Sequence, residues 1–188
     1  MERKNPTFTL FKGPMWGGKT SRLLSSLDRL KYQKREIIAF KPTIDDRYAS
    51  KEIISHSGWK MDAVPITNSR DLFGYLADSS VVYDTIAVDE AFMISGIADA
   101  LIFLYKSGFD VIVSTLDISA NGKPFPEVEK MLSWATHIET CPAVCSMCNR
   151  DAFFTHKKNL SDDEIEVGGS ELYEPRCMIH HAIISNIA

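Results

Sequence analysis

Eight consecutive residues near the N-terminus, Gly13-Pro14-Met15-Trp16-Gly17-Gly18-Lys19-Thr20, carry the spacing G-x-x-x-x-G-K-[ST]. That spacing suits a chain of phosphates. A glycine-rich turn opening into a helix lines up backbone N–H groups, the helix N-terminus adds partial positive charge, and Lys19 adds a whole one. All eight residues are therefore expected to bind the phosphates of a nucleoside triphosphate, with the Thr20 hydroxyl oxygen offered to the accompanying magnesium ion. A second group is Asp89-Glu90, directly after the apolar run Thr85-Ile86-Ala87-Val88. An acidic residue ending such a strand holds magnesium in P-loop proteins, which puts Asp89 on the metal side. Neighbouring side chains of an extended chain point to opposite faces, so Glu90 is expected to face whatever lies beyond the terminal phosphate.

The third group lies in the last quarter of the chain, where all four cysteines (Cys141, Cys145, Cys148, Cys177) are followed by His180 and His181. Cys145-x2-Cys148 and Cys177-x2-His180 have the spacing of two zinc knuckles, each turn aiming two ligands at one ion. Spacing leaves the fourth ligand open between His180, His181 and Cys141. Four protein ligands leave no position for an activated water, so one zinc per chain would be structural, supplying part of the folding free energy of a short, loop-rich tail. The tethered stretch between the knuckles bends at Gly168-Gly169 and is built to close over a ligand.

These residues need a scaffold to position them. The alternating run Thr7 to Lys12 reads as a strand before the glycine loop, and Leu23, Leu24, Leu27 and Leu30 form one stripe of a helix from Lys19 to about Lys34. A strand at 36–41 stops at Pro42, and residues 42–60 show no clear period and read as a polar loop. A short helix over 68–77 is expected, with Asn68 as N-cap, Asp71 at the third position, and Leu72, Phe73 and Leu76 facing inward. A helix over 97–106 ends at Gly108, a strand covers 111–116, and Val128 to Trp134 reads as one more helix. Alternation of strands and helices predicts an α/β fold, a P-loop NTPase-like, mostly parallel sheet flanked by helices, with a small C-terminal zinc-binding domain. The boundary is expected where composition changes, giving 1–137 and 138–188. His56 and Trp59, in the polar loop, read as structural.

With 188 residues, 45% of them hydrophobic, the chain is ordinary globular material. A net charge of −4 without a basic stripe argues against a nucleic-acid binder, and against a P-loop ATPase working on one. No apolar run approaches the ~18 residues needed to cross a bilayer. The first residues lack the apolar core of a signal peptide. A cytoplasmic protein follows, or one working in a host's cytosol if viral, with no membrane partner.

Assembled in order, GPMWGGKT, KPTIDDRY, SHSG, VDEAF, LDISANGKPF, CxxC, AFFTHK, VGGSELY and the C-terminal CxxH resemble the type II thymidine kinases over residues 8–181. The resemblance implies transfer of the γ-phosphoryl of ATP to the 5′-hydroxyl of thymidine or deoxyuridine in pyrimidine salvage. It also implies a zinc-anchored lasso over the nucleoside, a homotetramer, and feedback by dTTP. By motif it makes Glu90 the catalytic base and puts Arg47 beside the reacting phosphate, with Asp45 supporting magnesium alongside Asp89 and Thr20. Met15, Phe92, Leu116, Thr155, Val167, Gly168, Gly169 and Tyr173 match the base and sugar pocket. The chain departs from the family where Asp89-Glu90-Ala91-Phe92 lacks the usual glutamine, and where His180 stands for a common cysteine.

Overall fold

The structure, a computed structural model, describes residues 5–44, 51–158 and 168–181. β1 (Phe8–Lys12) feeds the glycine loop and α1 (Lys19–Tyr32), after which come β2 (Ile37–Pro42), β3 (Glu52–Ile54), β4 (Lys60–Asp62) and β5 (Val64–Ile66). α2 (Ser69–Asp78), β6 (Thr85–Val88), a 3-10 turn (Ala91–Met93), α3 (Ile97–Lys106), β7 (Asp110–Thr115) and α4 (Pro126–Leu132) follow. β8 (His137–Thr140), the short pair β9 (Ala143–Val144) and β10 (Asp151–Ala152), the pair β11 (Phe154–Lys157) and β12 (Tyr173–Arg176), and a 3-10 turn (Met178–His180) complete the order.

Six strands form one sheet in the order β5-β2-β6-β7-β1-β8, and among the described residues every pairing in it is parallel. Its central strands are buried on both faces, which is why β6 and β7 read as continuous apolar runs. The period of two still sorts them. Phe8, Leu10, Ile38, Phe40, Ile86, Val88, Val111 and Val113 pack on the face covered by α2, α3 and α4. Phe11, Ala39, Ala87 and Ile112 pack on the face covered by Leu23, Leu24 and Leu27 of α1. Ala39 and Ala87 are small residues on the face where the leucines of α1 pack.

The α2 N-terminus has the expected capping box: Arg70 N–H donates to Asn68 Oδ1 at 2.9 Å, and Asn68 N–H donates to Asp71 Oδ2 at 3.2 Å. Its inward face differs from expectation. Leu72 is fully buried and Leu76 packs beside it, one turn apart. Phe73, a third of a turn away, is 38% exposed and meets the ring of Phe103 on α3 edge-on at 5.9 Å. The polar loop expected over 42–60 contains structure as well: β3 lies within it and pairs antiparallel with β4, which starts at its last residue, and just beyond it β5 extends the sheet edge beside β2. Three-residue strands are too short to show a period. α4 begins at Pro126, whose missing N–H suits the first helical position, and ends at Leu132. β8 lies on the main sheet beside β1, so the chain after His137 first completes the sheet edge before it enters the ribbon. Among the described residues no helix is long and apolar enough to cross a membrane.

Candidate active site and metal centre

The C-terminal ends of β1, β2, β6, β7 and β8 open on one side of the sheet, where ligands of open parallel sheets bind. The glycine loop leaves β1 there. Two of its glycines are demanded by a neighbour: a Cβ at Gly13 or Gly17 would sit inside contact of the Cys141 carbonyl oxygen, just past β8. Gly18, at φ +75°, turns the chain into α1 with open space around it. Lys19 is 6% exposed and donates to the Pro14 carbonyl at 2.7 Å. Burial lowers its pKa from the ordinary ammonium value, opposed by the fields of Glu90 and Asp89.

Asp89 ends β6 and is buried, accepting hydrogen bonds from the Thr20 hydroxyl at 3.2 Å and from the Ser114 hydroxyl of β7. An oxygen pair of this kind, one carboxylate and one hydroxyl at a phosphate loop, fits magnesium, which binds through few protein oxygens. The extended-chain expectation for Glu90 fails. Glu90 takes a left-handed conformation (φ 49°, ψ 45°) and opens the 3-10 turn, so the alternation of faces ends at Asp89. Both carboxylates therefore line a single cavity with Met15, Trp16, Gly18, Lys19 and Thr20. The other walls of that cavity are Lys41, which opens the stretch KPTIDDRY at the end of β2, and Ile53, Ile54 and His56 from the β3–β4 hairpin, His56 lying in the stretch SHSG. In the sequence Ser114 reads only as a strand serine, and Lys41 as the first residue of KPTIDDRY with no role of its own. Asp45, Arg47 and Val167 lie outside the described residues.

The other expected pocket residues divide. Phe92 is buried in the 3-10 turn; its N–H donates to Thr115 Oγ1 at 3.2 Å and its ring lies 4.6 Å from that of Phe125. Leu116 packs against the same core. Thr155 on β11 is buried, and its hydroxyl accepts the Met15 N–H at 3.0 Å, joining the ribbon to the glycine loop. Tyr173 is buried on β12 opposite Lys157, and its N–H donates to the Gly169 carbonyl at 3.0 Å. Gly168 and Gly169 lead into that turn, where a Cβ on Gly168 would strike the Leu172 side chain. The loop between the knuckles thus stands on a hairpin stem, which Lys158 N–H closes onto the Leu172 carbonyl at 2.8 Å.

Cys145, Cys148, Cys177 and His180 bring their ligand atoms within 4.8 Å of one another. Cys148 Sγ lies 3.7 Å from Cys177 Sγ, and His180 Nδ1 lies 3.7 Å from Cys145 Sγ and 3.2 Å from Cys177 Sγ. Zinc at about 2.3 Å from sulfur and 2.0 Å from nitrogen sets tetrahedral ligand atoms roughly 3.5–3.8 Å apart, so the four donors fit a structural zinc. The two other candidates lie elsewhere. Cys141 is buried in the cluster on the α1 side of the sheet, and His181 donates from Nε2 to the Thr155 carbonyl at 3.1 Å. Burial works against a thiolate at Cys145, but the amides of Cys177, Met147 and Cys148 and the His180 ring outweigh it and bring its pKa to about 5. Trp16 of the glycine loop packs on the same cluster as Cys145 and Cys177. A family model described as thymidine kinase matches residues 7–181.

Proposed function

The chain belongs to the thymidine kinase family and is an ATP:thymidine 5′-phosphotransferase; from that premise we propose how its residues divide the reaction. The phosphates of ATP lie on Gly13, Pro14, Met15, Trp16, Gly17, Gly18, Lys19 and Thr20. Thr20 and Asp89, with Asp45, would hold the accompanying magnesium, which would supply charge neutralisation on the phosphate oxygens. Glu90 accepts the proton of the nucleoside 5′-hydroxyl as that oxygen attacks the γ-phosphorus and ADP departs. Lys19 and Arg47 stabilise charge on the transferred group. Such transfer is mostly positioning and electrostatics, so no covalent intermediate on the protein is needed.

The acceptor side consists of Met15, Phe92, Leu116, Thr155, Val167, Gly168, Gly169 and Tyr173, and the lasso excludes water that would otherwise take the phosphoryl group. Deoxyuridine is a second acceptor, the end-product triphosphate is the feedback inhibitor, and the working form is a cytoplasmic homotetramer. One observation carries the reading: a buried lysine, the hydrogen-bonded Thr20–Asp89 pair and Glu90 all line one cavity at the strand ends. Labelled ATP incubated with a panel of nucleosides tests it. Transfer to thymidine and deoxyuridine but not deoxycytidine is expected. Hydrolysis of ATP at full rate without any nucleoside would overturn it.

A further inference from the structure

The cavity at the strand ends holds a second lysine that the reaction described above does not use. Lys41, at the end of β2, is 4% exposed and lines this cavity together with Gly18, Lys19, Thr20, Asp89 and Glu90. It arrives from the far side. β2 and β1 are separated in the sheet by β6 and β7, so Lys41 and the glycine loop face each other across Asp89. The backbone fixes this placement: Asp89 N–H donates to the Phe40 carbonyl at 3.0 Å, which sets Lys41 beside the magnesium-side carboxylate.

Its ammonium is poorly satisfied. Among the described residues it makes one hydrogen bond, to the Glu52 carbonyl at 3.3 Å, and no ion pair. A charged donor normally bonds at about 2.7–2.9 Å to an anion, and an ammonium carries three donors. No described carboxylate lies within ion-pair distance of it, and a buried charge so held is tolerated where a ligand supplies a partner. Asp89 is already held by Thr20 and Ser114. An anion entering over Gly18 and Thr20 would meet Lys19 on one side and Lys41 on the other.

We propose that Lys41 is a second phosphate-binding cation of the donor site, clamping the nucleotide's phosphate chain from the β2 side. This rests on the reading of the cavity as the ATP site. The test uses the full, zinc-loaded chain and three variants: Lys41→Gln, which keeps a donor for the Glu52 carbonyl and loses the charge, Lys41→Met, which loses both, and Lys41→Arg. Calorimetric titration with MgATP and, separately, with thymidine is compared with melting in the absence of ligand.

Both neutral variants are expected to melt no lower than the parent and to bind MgATP at least tenfold more weakly. Thymidine affinity should stay within about twofold, and Lys41→Arg should recover most of the ATP affinity. MgATP affinity within twofold of the parent in either folded neutral variant would overturn the proposal. So would equal loss of both ligands with lowered melting, which marks a mere anchor for the β3–β4 hairpin. Failure of both neutral variants to fold would overturn it too, since a charge kept for a ligand should not be needed for folding. Lys19→Ala is run alongside. ATP binding that survives only the Lys41 changes sinks this inference alone, whereas survival in Lys19→Ala as well sinks the reading of the cavity.

Discussion

Glu90 stands where the chain stops being a strand. Its left-handed backbone turns the main chain into the Ala91–Met93 turn and leaves its carboxylate on the same cavity as Asp89. A conformation that non-glycine residues avoid, placed beside a phosphate loop, is the kind of local strain that marks functional positions. Asp89 is held by two hydroxyls and suits a fixed metal-side role, while Glu90 is only half-buried and suits proton transfer. Glu90→Gln keeps shape and removes the base. Its turnover is expected to fall by about 10²-fold or more, with MgATP affinity by titration close to the parent's; near-normal turnover in the folded variant would refute the role.

At the scale of elements, the glycine loop is shaped from two directions. Phosphate binding accounts for the row of N–H groups, but Gly13 and Gly17 are also required because the chain leaving β8 passes directly behind them. Gly18 is different: it needs its positive φ but has space around it. Alanine at Gly18 should therefore cost only the left-handed strain, about 1–2 kcal/mol. Alanine at Gly17 must push the loop and the Cys141 backbone apart, and should cost more stability and more ATP affinity. Chemical denaturation and ATP titration of the two variants check the order. An equal or smaller effect at Gly17 would mean the loop can shift away from β8 freely. The β3–β4 hairpin is the other element that matters here, because it walls the cavity with Ile53, Ile54 and His56.

Across the whole molecule, the metal ribbon and the nucleotide lobe are not independent. Trp16 packs on the cysteine cluster, Met15 donates to Thr155, and Cys141 backs the glycine loop. Removing zinc with a strong chelator is thus expected to weaken ATP binding as well as nucleoside binding, both followed by titration of the stripped and reloaded protein. Unchanged ATP affinity in the stripped protein would show that these contacts carry no coupling. Protons compete with zinc for thiolates. The Cys145 thiol is held down to about 5. The Cys148 thiol, although the Arg150 amide favours its thiolate, is pushed up by burial and by the Cys145 and Cys177 sulfurs. Zinc must therefore displace a proton there, and its affinity is expected to fall as the pH is lowered. A chromogenic zinc indicator reads the midpoint.

Much of this was legible in the chain of letters. The glycine loop, the carboxylates after β6, the capping box of α2 and the two knuckles are local patterns. Their chemistry depends on residues a few positions apart, so sequence alone determined them and the α/β class. Resemblance across residues 8–181 extended that reading to the nucleoside side. Phe73 lies on the shoulder of α2 and not on its buried face, a distinction that a short helix has too few turns to show in its sequence. The hairpin at β3–β4 stayed hidden because three-residue strands leave no period. What only the tertiary structure decided are meetings of distant segments: His180 rather than Cys141 or His181 beside the three other cysteines, Ser114 on Asp89, Thr155 on Met15, and Lys41 across the cavity from Lys19. Such meetings depend on strand order and on where each crossover returns the chain, and neither is written in the spacing of any one motif.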